Sequence, residues 1–430
     1  MCNERWRRSQ TGRASQEAPS PTNPIASLAP MALAALLAIG FETPAFAHER
    51  PDRLIPEEPG GRISAAIATA WFGSSRPVPA PRLTGILGMG DTPDDQRGWR
   101  LEHGTVAAGI RASSSLGAVL ALGWHDGEPA HVEAAWLELR ESPGSSLAIG
   151  VGRNRIPLGT PIADAGHFDH YGQTPLAKRA AFSGDWIGDG VSLSWRPHFE
   201  DTFSWVDQVD LGVWDARRFP GSESASLAAV LRLRASWGAI AVDGFYAHLR
   251  ARGRGAYVQR TNSGHVHTAP RCNSSLRDIT CFDGDVDLFG ASIEWDTPLE
   301  GLDLAAAGVL RREDGGLYSQ NGDTRYRGRS SGGWLDVLWR PSDRWVVGLR
   351  QEWLRGEHRL SGPGAALVAA DAGLLPNAAS RRLTAMAGWQ LAANWRASIE
   401  AGRERIAGGS ATVIGLRLLW TPDSLVQWNW

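Results

Sequence analysis

An all-β chain is what this sequence predicts: an antiparallel transmembrane β-barrel of about sixteen strands, with long loops at one end and one loop folded inward. Three observations carry that expectation. Segments of about ten residues alternate in polarity over most of the chain, as strands do when one face meets lipid and the other a watery lumen. Connections between those segments alternate between short and long. No apolar run of about eighteen residues lies beyond the N-terminal region, so no helix offers a bilayer span.

The N-terminus reads as a cleaved signal peptide, residues 1–47. Arg5, Arg7 and Arg8 precede an apolar run from Met31 to Phe41, and Ala45-Phe46-Ala47 fits the small-x-small rule for cleavage before His48. Export of this kind delivers the chain to an oxidising envelope, where Cys272 and Cys281 are expected to form a disulfide in a polar loop. Residues 48–80 are rich in Pro, Gly and Ala without a sustained period, and read as a periplasmic lead-in. The barrel is then expected over 81–430. A net charge of −2 argues against a nucleic-acid partner. The positive charge is nearly all arginine, because Lys178 is the only lysine.

Alternation places strands near 81–90, 99–111, 116–124, 131–141, 145–155, 188–196, 208–216, 224–236, 237–250, 285–296, 301–312, 330–340, 344–355, 380–391, 394–405 and 410–420. The clearest is 344–355. Trp345, Val347, Leu349 and Trp353 share one face, and Arg344, Gly348, Arg350 and Glu352 share the other. Buried charge along a whole face would be costly in a soluble core, whereas a water-filled lumen accepts it. Several strands end in a Trp followed at once by a Pro turn, as in Trp195-Arg196-Pro197, Trp339-Arg340-Pro341 and Trp420-Thr421-Pro422. Proline stops a ladder because it cannot donate to it. These short turns are assigned to the periplasmic side. The long connections, near 156–187, 251–284, 313–329 and 356–379, are then extracellular. The tail after Trp420 alternates again through Val426, Trp428 and Trp430. It suits recognition by barrel-assembly machinery, and as a membrane strand of its own it would shift the count by one or two.

Between the strands 145–155 and 188–196 lies a loop rich in Gly, Pro, His and Asp. Its titratable groups are Asp164, His167, Asp169, His170, Lys178, Arg179 and Asp185. The expectation is that it folds into the barrel and sets the constriction. His167, Asp169 and His170 offer part of a zinc site, since imidazole and carboxylate both suit that ion; otherwise no cofactor is expected. His265 and His267 form a second His-x-His pair in the cysteine-bearing loop. By alternation the lumen receives Arg232, Arg234, Arg311, Arg340, Arg350, Arg396 and Arg417 against Glu294, Asp303, Asp336, Glu352 and Glu400. Fixed charge in a narrow pore sets ion preference, and the excess of arginine favours anions. The competing arrangement is a network of ion pairs that stiffens the wall and leaves little field.

From about Pro81 to Trp195 the chain resembles proteobacterial outer-membrane proteins related to the phosphate-selective porins, some of them zinc-regulated. The stretches that carry the resemblance are His125–Leu139 (HDGEPAHVEAAWLEL), Val151–Gly159 (VGRNRIPLG), His167–Phe182 and Gly188–Trp195. The resemblance implies a passive channel in outer-membrane lipid for small solutes or ions. Porins of this size are often homotrimers. Phosphate-selective members imply a lysine cluster that a chain with one lysine does not reproduce. No Ser or carboxylate stands at a spacing that would place a nucleophile beside the strand histidines His103 and His248, so no enzyme is expected. Two alternatives stay open: a zinc-linked channel or metal-binding barrel, and a non-conducting structural or adhesin-type barrel.

Overall fold

A segment with Val, Ile, Leu and Trp on one face and small or charged residues on the other must extend, and must find hydrocarbon for its first face. In the computed structural model this happens around a closed ring of sixteen antiparallel positions. The structure describes residues 54–76, 83, 85–88, 97–126, 129–142, 145–182, 184–197, 205–217, 226–257, 272, 279–406, 408–422 and 424–430. The proposed signal peptide lies outside them, as do His265 and His267.

The strands are β1 (Gly60–Ser74), β2 (Gly98–Arg111), β3 (Leu116–Trp124), β4 (His131–Arg140), β5 (Leu147–Arg155), β6 (Ile187–Trp195), β7 (Val206–Asp215) and β8 (Leu227–Trp237). They continue as β9 (Ile240–Tyr257), β10 (Ile279–Asp296), β11 (Leu302–Ser319), β12 (Gly322–Ser342) and β13 (Trp345–Ser361). The last are β14 (Asn377–Ala392), β15 (Trp395–Ile406), β16 (Gly409–Trp420) and β17 (Val426–Asn429). From β1 to β16 each strand pairs with its neighbour in sequence, and β1 closes the ring. It pairs with β16 from Ile67↔Trp420 to Ser74↔Val413, and with β17 from Gly60↔Asn429 to Ile63↔Val426. The C-terminal tail is therefore a continuation of β16 along the same edge of β1 after the Pro422 break. It adds length and no seventeenth position.

Two boundaries differ from the sequence expectation. The barrel begins at Gly60, inside the stretch read as a lead-in. None of the described residues between 81 and 90 lies in a strand: Leu83, Ile86 and Leu87 are buried inside the barrel, and Gly85 bridges to Leu374. The count stays at sixteen because one strand replaces the other. The connection expected at 313–329 is also absent as a loop. β11 and β12 run on together to Ser319 and Gly322, well past the last apolar outward residue. The connections expected at 251–284 and 356–379 are shorter for the same reason, with β9 reaching Tyr257 and β13 reaching Ser361, whereas the one between β5 and β6 keeps its expected length.

The outward face is as the alternation requires. On β13, Trp345, Leu349 and Trp353 are 48%, 44% and 47% exposed, while Arg350 and Glu352 between them are 2% and 1% exposed. Trp195, Trp237, Trp295, Trp339, Trp345 and Trp389 are all exposed near the short turns, where an aromatic girdle belongs. Trp345 and Trp389 stack there at 5.9 Å. Inside, the lumen holds residues 54–58 near the short-turn end, residues 83 and 85–88, and the loop between β5 and β6. Leu54 and Ile55 are buried, and Arg111 on β2 donates to the Pro56 carbonyl at 2.9 Å.

Candidate functional site: a loop clamped across the lumen

The chain leaves β5 and turns inward at Gly159, whose φ of +95° is one that side-chain-bearing residues rarely adopt. A Cβ there would also lie 2.6 Å from the Asp243 side chain of β9. Helix α1 (Thr160–Asp164) follows, started by Pro161, and helix α2 (Leu176–Phe182) returns the chain toward β6. Leu176 and Ala180 on α2 pack with Leu83, Ile86, Leu354, Ala378 and Ile406. Lys178 staples the two helices. Its ammonium donates to the Ala163 and Ala165 carbonyls at 3.2 and 2.7 Å and to Asp185 at 2.7 Å.

Irregular backbone inside a barrel needs partners for its N–H and C=O groups. Four arginines, one from each of four consecutive strands, donate to the loop's carbonyls and side chains. Arg350 (β13) donates to the Asp169 carboxylate at 2.8 Å, and its guanidinium lies 4.1 Å from the Tyr171 ring centre. Arg382 (β14) donates to Gln173 Oε1 at 2.5 Å and to the Thr174 carbonyl at 2.7 Å. Arg396 (β15) reaches the Asp169 carbonyl at 2.9 Å and His170 Nδ1 at 3.1 Å. Arg417 (β16) reaches the Asp169 and His167 carbonyls at 3.1 and 2.5 Å. Carboxylates on the same wall accept from the loop: Glu352 from Leu176 N at 2.7 Å, and Glu400 from Gly172 N at 3.2 Å. A Cβ at Gly172 would meet Arg417 and Glu400 at 2.5 Å each, so any side chain there has to push these two wall residues aside.

Most of the charged residues expected to line the lumen are engaged in ion pairs. Arg232 bonds Asp210 and Asp243 at 2.9 and 2.6 Å. Arg234 reaches Asp243 at 2.8 Å, Glu294 at 3.5 Å and the Thr160 hydroxyl at 2.7 Å. Arg350 grips Asp336 with two bonds of 2.6 and 2.7 Å, and Arg382 grips Glu352 with bonds of 2.7 and 3.0 Å. Arg417 binds Glu102 at 2.8 Å, and Arg340 pairs with Asp303. Arg311 donates to the Ala180 and Leu87 carbonyls, tying α2 and residues 85–88 to β11. Arg396 is different, since no carboxylate among the described residues lies within ion-pair distance of it. Sequence reading did not single out Glu102, Asp210, Asp243 and Arg382 as the partners that complete these pairs.

The constriction-loop groups are therefore not a free charged rim. Asp185 is held below the ordinary carboxylate range: burial pushes it up, but Arg155 at 3.2 Å and Lys178 outweigh that. Enclosure and the neighbouring Arg396 push His170 down to about 3. Burial would raise Asp169, but Arg350 and His170 lower it. Arg179 is buried and Asp164 is exposed. The zinc expectation of His167, Asp169 and His170 divides here. Asp169 and His170 are engaged by the arginine wall, while the His167 ring turns to His103 and His125, at 5.1 Å from each. Among the described residues, the group whose ligand atoms converge is His103, His125 and His167, within 4.8 Å of one another. The Cys272–Cys281 disulfide is formed, with a Cα separation of 5.9 Å.

On the short-turn side of the loop is a cavity of about 650 Å³ bounded by β4–β8, residues 55–58 and the start of the loop. Six arginines and four carboxylates line it.

No family model and no curated protein matches this sequence. Solved structures do match the fold. A loop-deletion form of OmpT, an outer membrane protein of Vibrio cholerae, aligns with a TM-score of 0.53 at 14% identity, over 85% of this chain and 100% of that one. An anion-selective porin from Comamonas acidovorans aligns at 0.51 and 11% identity, over 85% and 100%. OprB of Pseudomonas putida aligns at 0.50 and 9% identity, over 88% and 100%. This is the fold of outer-membrane porins. A phosphate-selective lineage within that fold is not distinguished at such identities.

Proposed function

We propose that this barrel is a non-enzymatic diffusion channel of the outer membrane for small hydrophilic solutes, with a preference for anions. The observation that carries the reading is the β5–β6 loop held across the lumen by Arg350, Arg382, Arg396 and Arg417. A barrel serving only as a scaffold has no need of a loop fixed at that depth. Selectivity then comes from pore width and from residual charge. Two features tilt that charge toward cationic groups: Arg396 has no carboxylate partner among the described residues, and the cavity on the short-turn side has more arginines than carboxylates. Fixed positive charge of this kind concentrates anions at close range.

A homotrimer is part of the reading, by analogy with barrels of this size. One of the solved OmpT structures is described as a trimer form. The deciding experiment is reconstitution of the mature chain in a planar bilayer under a potassium chloride gradient. Stepwise currents with a reversal potential of chloride sign are expected. Absence of current would favour the scaffold reading, and a potassium sign would end the anion preference.

A further inference from the structure

Three histidines from distant parts of the chain meet where the loop crosses the lumen wall. His103 lies on β2, His125 follows β3, and His167 comes from the loop. Their ring centres are 4.6 Å apart for His103–His125 and 5.1 Å for each of the other two pairs. One nitrogen from each lies within 4.8 Å of the other two. We propose that His103, His125 and His167 bind one divalent transition-metal ion of the zinc class, fastening the tip of the inserted loop to the β2–β4 wall.

The surroundings prepare the rings for that task. A metal-ligating imidazole usually gives its second nitrogen to a carbonyl or carboxylate, which fixes the tautomer and aims the other nitrogen. His125 Nδ1 donates to the Glu102 carbonyl at 2.6 Å, leaving Nε2 as the ligand. His103 Nε2 lies 3.1 Å from Glu133 Oε1, and its Nδ1, fully enclosed, has no hydrogen-bond partner among the described residues. Glu133 is itself held by the Thr105 hydroxyl at 3.2 Å. It places a buried negative charge beside the rings, which offsets part of the charge of a bound cation. Arg100 also faces the cluster, and it is paired with Glu102 at 3.5 Å. His131 stacks on His125 at 5.5 Å, behind the cluster's own three rings. Tetrahedral zinc with bonds of about 2.0–2.1 Å sets its nitrogen ligands about 3.4 Å apart. Binding therefore asks the ligand nitrogens to close from 4.8 Å by up to about 1.4 Å, within the reach of side-chain rotation.

The choice of imidazole without thiolate excludes calcium and magnesium, which take oxygen ligands, and favours zinc, copper or nickel. The proposal does not depend on the barrel conducting. Its test is cobalt(II) titration of the tag-free mature barrel, folded in detergent, followed by displacement with zinc. About one equivalent should bind, with visible absorption bands of a tetrahedral or five-coordinate nitrogen site that zinc abolishes. H125A and H167A should lose those bands, while H170A and the double variant H265A/H267A keep them. Glu133→Gln, which leaves all three rings in place, should weaken binding about 10- to 100-fold, the usual effect of removing an orienting partner. Heat-modifiable migration on gels confirms that each variant is a folded barrel, and H125Q replaces H125A where the latter does not fold. A folded wild-type barrel that takes up neither cobalt nor zinc overturns the proposal. So does binding that survives H125A and H167A, or that is lost with H265A/H267A.

Discussion

Arg350 and Asp169 are 181 residues apart in sequence and 2.8 Å apart in space. The same guanidinium grips Asp336 on the neighbouring strand, so one side chain joins wall to wall and wall to loop. Removing one member of a buried charge pair leaves the others unpaired and costs about 3–5 kcal/mol. Arg350→Ala should therefore free the middle of the loop while the barrel still assembles. Single-channel recordings are expected to show a larger and noisier conductance than wild type. A variant with wild-type current would mean the loop does not define the narrow section.

Acid should act at the same place. Free imidazole accepts a proton near 6.5, while His170, enclosed beside Arg396, resists until about 3. The unfolded or withdrawn loop thus binds a proton that the docked loop does not. Docking is undiminished above about pH 6.5 and weakens progressively as pH falls toward 3. Asp169, whose carboxyl Arg350 and His170 keep ionised below its usual range, gives way at the acid end of that window. Conductance should be steady from pH 8 to 7 and become unstable as pH approaches 3. In H170Q the onset should move to lower pH, because the first of the two protons has been removed from the balance.

How much of this was readable beforehand follows from where water and lipid lie. Strands such as β6 and β13 show themselves because lipid on one side and a charged lumen on the other force polarity to alternate. β1 hides because its inner face is Ala66, Ala68, Ala70 and Phe72, so both faces are apolar or small. Residues 313–329 read as a loop because the outer face of the β11–β12 hairpin carries charge at Asp314, Arg325 and Arg327, while its buried inner face mixes Leu317 and Tyr326 with Glu313 and Thr324, so the polarity alternation that marks the other strands is missing. Of the four arginines that hold the loop, alternation pointed to Arg350, Arg396 and Arg417 but not to Arg382, and nothing local showed that Asp169 and Thr174 would be their partners, since the sequence does not tell where an inserted loop will touch. The histidine group was half visible. Once Gly104↔Trp124 is taken as the β2–β3 register, His103 and His125 must be neighbours across the hairpin. His167 arrives only with the fold of the loop.

Gly172 offers a purely steric test of the docked loop. It sits against Arg417, Glu400 and Phe72, with no room for a methyl group. Gly172→Val should cost about 1–3 kcal/mol through overpacking and displace the loop tip without altering any charge. Its expected signature is a changed conductance with an unchanged sign of ion preference. Limited proteolysis should also begin to cut between His167 and Thr174, a stretch protected in the parent chain.

The lipid face is open to an equally direct measurement. Leu349 lies between Trp345 and Trp353 on the outer side of β13, midway between the two aromatic levels. An arginine at the bilayer midplane of such a barrel costs about 2–4 kcal/mol. Leu349→Arg should lower unfolding stability in lipid vesicles by that amount. The same substitution at Arg355 or Arg359, already arginine and exposed beyond the second Trp, is what the native chain tolerates. A neutral effect at Leu349 would place that surface in water and dismantle the membrane reading.

Ion preference can be isolated at Arg396, which contacts the loop through carbonyl oxygens and His170 and has no carboxylate within ion-pair distance among the described residues. Arg396→Gln removes one positive charge and Arg396→Glu reverses it, so the two form a graded series. A unit charge passing within about 4 Å of a permeating ion in water contributes about 1 kcal/mol, roughly a fivefold bias. The chloride-to-potassium permeability ratio should fall by about that factor in the glutamine variant and further in the glutamate variant. High salt should compress the differences, because screening shortens the reach of the charge. If both variants keep the wild-type reversal potential, the path of the ions avoids β15, and selectivity must come from the arginines of the cavity on the short-turn side.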